Sequence, residues 1–304
     1  MAETIRIECP KCKKALEIPQ ELDEFSCLYC GERLRLADLL RPAAVTEDAR
    51  EAEEYLREHL PGTVTRYPDY YTKITKKCFV PAFTTYEQEN TGILEHLDAA
   101  AQGDGEAVQR VCRSLLDSLD EHMLGDKRWN FKPRRSQVLF ETKLVLAIFL
   151  CPLTKKMQLA SAEDFCTELH RQWLERYPKE AWYPGDYEVL VGGFKKRKWC
   201  FITTATCAHE GKPDDCAELT AFRAFRDGWL AGRAGGQELI DLYYDVAPGI
   251  VACIDYCDAP AERYEEIRRG WLEPCYRALQ ENRPEDCRAI YTDMVRTLQN
   301  RYEQ

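Results

Sequence analysis

This sequence of 304 residues has no long apolar run. Its longest, Leu144–Leu153, falls far short of the roughly 20 residues a membrane helix needs, so no membrane partner is expected. The opening residues Met1–Arg6 run straight into a cysteine motif and leave no space for the apolar centre of a signal peptide. Positive charge is in short supply as well. Against 52 Asp and Glu stand 42 Lys and Arg, a net charge of −10, which argues against a protein built mainly to coat nucleic acid or an anionic membrane. A phosphate-binding glycine loop, an HExxH motif and a GxSxG elbow are all missing, so no common hydrolase or nucleotide chemistry is indicated. There is no internal repeat and no low-complexity tract.

What the chain has in excess is cysteine, 15 in all. An odd count without a leader does not suit a secreted disulfide framework, so reduced thiols and a cytoplasmic location are expected. Apolar residues at 45% and charged residues at 31% allow a sizeable core, and the length suits about two domains.

Residues 1–36 differ in kind from the rest. Ile5 and Ile7, Leu16 and Ile18, and Leu34 and Leu36 alternate with polar residues, as half-buried strands do. Cys9-Pro-Lys-Cys12 and Cys27-Leu-Tyr-Cys30-Gly31 form two CxxC knuckles separated by 14 residues. Four thiolates at that spacing make the closed tetrahedral shell of a structural zinc ribbon, and so short a segment needs such a staple. A glycine after the second pair suits the left-handed turn of a knuckle. With six Lys/Arg and seven Asp/Glu, the module has no field to collect phosphates, which favours a protein partner or intramolecular docking over nucleic acid.

The expected fold is mainly α: this small β module followed by a helical domain. Residues 37–62 read as a linker and a charged helix capped by Thr46 and stopped at Pro61-Gly62. Residues 63–193 form a helical middle region, opening with an irregular aromatic segment over 63–92. Helices are expected over 104–124, 134–151 and from a capping-box-like start at Ser161 to Pro178. In residues 194–304 they are expected over 213–232, from Pro213, and over 236–257, 260–281 and 284–302.

The densest constellation runs from Trp199 to Ile254. Cys200, Phe201, Ile202, Thr204 and Ala205 open it; Leu219, Phe222, Arg223, Phe225, Arg226 and Asp227 follow on one predicted helix; Gly236, Tyr243, Tyr244 and Pro248 follow on the next. In order and spacing this resembles the bacterial CFI-box C-terminal domain, over roughly residues 194–302. The chain departs from the commonest opening, which continues Ala-Tyr-Gly, by having Thr206-Cys207-Ala208. The resemblance implies a module that often follows unrelated N-terminal parts, small zinc ribbons among them, and implies no established activity.

Arg223, Arg226 and Asp227, with Tyr243 or Tyr244, are candidates for a ligand site or for a partly buried ion pair with tyrosine hydroxyls. Cys200, Cys207, His209 and Cys216 fall within 17 residues. They admit a nucleophilic or redox Cys200 or Cys207 with His209 as base, a second metal site, or plain core packing. Cys253 and Cys257, one turn apart, and the single cysteines Cys78, Cys112, Cys151, Cys166, Cys275 and Cys287 read as packing residues. Two basic segments interleaved with aromatics, residues 126–135 and 193–199, keep a nucleic-acid partner open. The leading expectation is a cytosolic zinc-ribbon interaction or adaptor protein, with a cysteine-dependent enzyme as the alternative.

Overall fold

The alternation in the first 36 residues becomes two short hairpins. The computed structural model describes residues 4–9, 11–12, 14–19, 22, 24–36, 47–195 and 201–302. Strand β1 (Thr4–Glu8) pairs antiparallel with β2 (Ala15–Pro19), setting Ile5 opposite Ile18 and Ile7 opposite Leu16. Strand β3 (Glu24–Ser26) pairs with β4 (Arg33–Arg35), Phe25 facing Leu34. Leu16, Ile18, Leu34 and Leu36 close with Cys9 and Cys27 into a separate small apolar cluster. Burial on that scale cannot hold a chain folded alone.

Beyond residue 46 the described chain is helical, as expected. Helix α1 (Glu47–His59) keeps its acidic face in solvent but sends Ala52 and Leu56 into the main core, with Leu60 just beyond it. Its expected cap, Thr46, lies outside the described residues. The irregular segment expected over 63–92 is corrected by helix α2 (Phe79–Leu94), which buries Phe79, Phe83, Tyr86, Asn90 and Leu94 at helical spacing. Pro81 does not break it, because it sits in the first turn, where a backbone N–H has no partner to lose.

Helix α3 (His96–Ala101) leads to α4 (Ala107–Gly125); of the stripe expected there it buries Val111, Cys112, Leu115, Leu116, Leu119 and Met123 and leaves Val108 half-buried. Helix α5 (Lys132–Val145) passes through a π-helical turn, Leu146–Leu150, into α6 (Cys151–Lys156). Within that turn the Ala147 carbonyl accepts from the N–H of Gly185 at 2.9 Å. Arg134–Lys156 is long and apolar enough to cross a membrane by length and composition, yet most of it is buried inside the fold. It packs against α2 and α4 and against several helices that follow it in the chain.

Helix α7 (Ala162–Arg176) has a different start from the expected capping box. Ser161 makes no side-chain cap; Asp98 on α3 accepts from the Ser161 hydroxyl at 2.6 Å and from the N–H groups of Ser161 and Ala160 at 2.8 and 3.0 Å. After α8 (Tyr187–Lys195) and α9 (Phe201–His209), helix α10 begins at Ala217 with Cys216 as its cap, four residues later than Pro213 suggested. It ends at Ala224 and continues as a π-helical turn, Phe225–Leu230. Then come α11 (Gly236–Cys257), α12 (Pro260–Ile267), a third π turn (Arg268–Leu272), α13 (Glu273–Gln280) and α14 (Pro284–Tyr302).

A single contiguous core runs from Ala52 to Tyr302, so the boundary placed at residue 194 does not separate two cores. The tightest join is at α11. Pro248 interrupts its ladder, and nearby the N–H of Lys76 donates to the Asp245 carbonyl at 2.9 Å. At Gly249 the chain approaches so closely that a Cβ would lie 1.6 Å from the Ile74 carbonyl oxygen, so only glycine fits.

Candidate metal centre

The two knuckles close as the hairpins do. The N–H of Cys9 donates to the Lys14 carbonyl at 3.0 Å, that of Cys27 to Glu32 at 2.8 Å, and that of Gly31 back to Cys27 at 2.9 Å. Gly31 takes φ +72°, the left-handed turn that a side chain would strain. Four thiols are thereby gathered. Cys9 Sγ lies 3.7 Å from Cys30 Sγ, Cys12 Sγ lies 3.6 Å from Cys27 Sγ, and all four sulfurs fall within 4.8 Å of one another. Cys9 and Cys27 are buried, Cys12 is half-buried and Cys30 is open to solvent. Burial opposes charge on Cys27, but the N–H groups of Tyr29 and Cys30 address its sulfur and the thiol is held down to about 6. The cluster could hold a metal ion. At the knuckle tip Leu28 is 88% exposed and Tyr29 59%, with the Lys14 ammonium 4.7 Å from the Tyr29 ring centre.

The C-terminal candidates fall into separate places. Cys200 and Lys196–Trp199 of the second basic segment lie outside the described residues. The Tyr243 hydroxyl accepts from the N–H of Ile202 at 3.0 Å, satisfying a donor at the start of α9. Arg226, buried, binds Asp227 through bonds of 2.6 and 2.7 Å, and its guanidinium lies 5.7 Å from the Tyr244 ring centre. Arg226 and Tyr243 line an apolar cavity of about 40 Å³ together with Phe222, Ile240 and Tyr291. Arg226, Asp227, Tyr243 and Tyr244 thus share one region, whereas Arg223 turns away to the Asp214 carboxylate and carbonyl at 2.7 and 2.8 Å.

The Cys207–His209 dyad is corrected. Two positions apart on one helix, the side chains diverge. His209 is exposed, its ring 5.4 Å from that of Tyr264. Cys207 is buried and faces a thiol and a carboxylate instead: its Sγ is 4.0 Å from Glu218 Oε2, and Cys216 Sγ belongs to the same cluster, all three within 4.8 Å. Burial, then Cys216 and Glu218, push the Cys207 thiol up to about 12, away from the thiolate that a nucleophile requires at neutral pH. Neither Glu218 nor Lys212 stands out in the sequence; the Lys212 ammonium sits 2.6 Å from Glu218 and 3.1 Å from Glu210. The available signal was the Cys216-Ala-Glu218 step at a helix start.

Cys112, Cys151, Cys166, Cys253, Cys257, Cys275 and Cys287 are buried, as packing requires; Cys78 is corrected, for it lies exposed at the cap of α2. In the first basic segment Arg128 is committed to Asp126 and Glu141, each at 2.8 Å or closer, while Arg134 and Arg135 lie over the rings of Phe131 and Trp129. Comparison with protein-family models, curated proteins and solved structures gives no match to this chain.

Proposed function

We propose that this chain is an interaction or adaptor protein in which a structural zinc ribbon over residues 4–36 presents a docking surface to a protein partner. The carrying observation is the four-sulfur cluster. A tetrahedron with Zn–S bonds of about 2.3 Å has edges of about 3.8 Å. The 3.7 and 3.6 Å separations match that edge closely. Four thiolates would fill the shell and leave no open position, so the metal acts as the staple that the small apolar cluster needs rather than as a catalyst.

The partner reading rests on what the second knuckle exposes. Leu28 and Tyr29 project an apolar surface beside a module of nearly balanced charge, which fits a protein segment offering an apolar side chain better than a phosphate backbone. The helical body, in this reading, is of the CFI-box type. Supporting it are the order of Phe201–His209, the Leu219-to-Asp227 stretch and the Tyr243-Tyr244-Pro248 helix around one core. A bacterial cytoplasmic setting goes with that resemblance.

The test is metal analysis of the full chain beside Cys27→Ser. The variant loses one equivalent of zinc and protease protection over residues 4–36; a ribbon that stays folded without metal overturns the reading. For the partner, a double variant Leu28→Ala, Tyr29→Ala keeps its zinc and weakens a purified partner at least tenfold by titration. Binding of single-stranded RNA that falls steeply with salt would replace the protein partner by nucleic acid.

A further inference from the structure

The loop between α9 and α10 brings a second set of metal-type donors together, far along the chain from the ribbon. Cys207 enters from the last turn of α9, Cys216 occupies the position just before α10 and Glu218 stands in its first turn. Two sulfurs and a carboxylate oxygen lie within 4.8 Å of one another, with Cys207 buried and the other two half-buried. We propose that Cys207, Cys216 and Glu218 form a second metal centre, for a thiophilic divalent cation such as Zn²⁺, with one position left to solvent.

Donor chemistry selects the ion. Once binding displaces the two thiol protons to solvent, two thiolates and one carboxylate suit Zn²⁺, whereas a cuprous ion prefers sulfur alone and Mg²⁺ or Ca²⁺ prefers oxygen alone. Drawing the donors from a 4.8 Å limit to the roughly 3.8 Å edges of a zinc shell takes shifts of about 1 Å or less, within the reach of side-chain rotation on a loop. A cavity of about 10 Å³ adjoins Cys207 and Glu218, also lined by Thr203, Thr206 and Glu210, with room for about one water as the fourth ligand.

The nearest positive charge is Lys212, 2.6 Å from Glu218 Oε2 and 3.1 Å from Glu210 Oε2; Arg268 also reaches Glu210, at 3.4 Å. An arriving cation takes the Glu218 oxygen that Lys212 now holds, and Lys212 stays with Glu210. The ammonium therefore competes with the metal. A site of this kind has a signature that mere packing lacks: removing Lys212 tightens it.

The experiment uses the full chain, reduced, titrated with Zn²⁺ and separately with Co²⁺ as a spectroscopic probe. The wild type takes up two equivalents, one of which survives Cys27→Ser and is lost with Cys216→Ser. Glu218→Gln, half-exposed and able to fold, weakens that equivalent tenfold or more, and Lys212→Met tightens it about tenfold. The thiolate-to-cobalt absorption of the second equivalent disappears with Cys216→Ser alone. If the reduced chain takes up only the equivalent that depends on Cys27, in the wild type and in Lys212→Met alike, the centre does not exist. A Cys207–Cys216 disulfide in the isolated protein, seen as a loss of two hydrogens that reductant reverses without any gain in metal uptake, also overturns it. The ribbon and this centre fail independently, because Cys27→Ser and Cys216→Ser each remove only their own equivalent.

Discussion

The ribbon and the helical body use the same residue in opposite ways. In residues 4–36 four cysteines turn their sulfurs toward one another, and among the described residues there only Leu16, Ile18, Leu34 and Leu36 join Cys9 and Cys27 in burial. In the body, Cys112, Cys151, Cys253, Cys257, Cys275 and Cys287 disappear into a core that spans most of the chain. The lesson is one of scale. Where apolar burial is small, a cross-link such as a metal shared by four thiols would have to supply the stability; where it is large, a thiol is simply a small apolar side chain.

The largest effect expected follows from that contrast. Stripping metal with a strong chelator removes a term of about 10 kcal/mol or more from the ribbon, because binding and folding of such a module are one event. Amide exchange should then rise to the unfolded rate over residues 4–36 and stay slow in α4, α5 and α11. Loss of protection in both regions together would break the comparison, since it would show that the body depends on the ribbon.

The converse change strikes the body alone. Gly249→Ala puts a methyl where the Ile74 carbonyl oxygen stands 1.6 Å away, an overlap relieved only by parting the 74–77 loop from α11. Overpacking of this kind costs about 3 kcal/mol. Thermal unfolding of the helices should shift down by about 6 °C or more while the ribbon keeps its metal. A smaller loss is expected from Cys112→Ala. Its thiol is fully buried and points at the Phe165 carbonyl at 3.7 Å, so truncation forfeits about 1–2 kcal/mol of packing with no change in zinc content. The same substitution at Cys27 changes zinc content first. That difference in readout separates a packing cysteine from a ligand.

Much of this was legible because spacing encodes it. The CxxC pairs and the alternation of Ile5, Ile7, Leu16 and Ile18 pointed to the hairpins and the four-thiol cluster, since both depend on neighbours close in sequence. The stripe of α4 and the span of α11 were legible for the same reason. Helix α2 was not, because its buried face is built from aromatics around Pro81, and aromatic density with proline reads as irregular chain. The Cys207–Glu218 contact joins two helices across a loop, and no period within either helix signals it. Nor did the sequence separate Arg223 from Arg226: three residues apart on one helix, they diverge because Asp214 in the preceding loop captures Arg223.

The start of α7 is another such long-range device, and it supplies the smallest and most finely graded test. Asp98, from α3, does the work that a cap at Ser161 would do locally, accepting three bonds from Ser161 and Ala160. Burial works against its charge, but the Ser161 hydroxyl and N–H and the Ala160 N–H outweigh it and hold the carboxyl below the ordinary carboxylate range. A carboxyl depressed in the folded state contributes stability above its unfolded pKa and loses it as pH falls through the folded pKa. Asp98→Ala should therefore cost about 1 kcal/mol at neutral pH. The gap to the wild type should hold steady down to about pH 5 and close below about pH 4. Asp98→Asn, which keeps an acceptor without the charge, should recover part of the loss and show little of the pH dependence. A gap that widened in acid would mean that Asp98 acts as a burdened charge rather than as the cap, and the helical body would then hold α7 by burial alone.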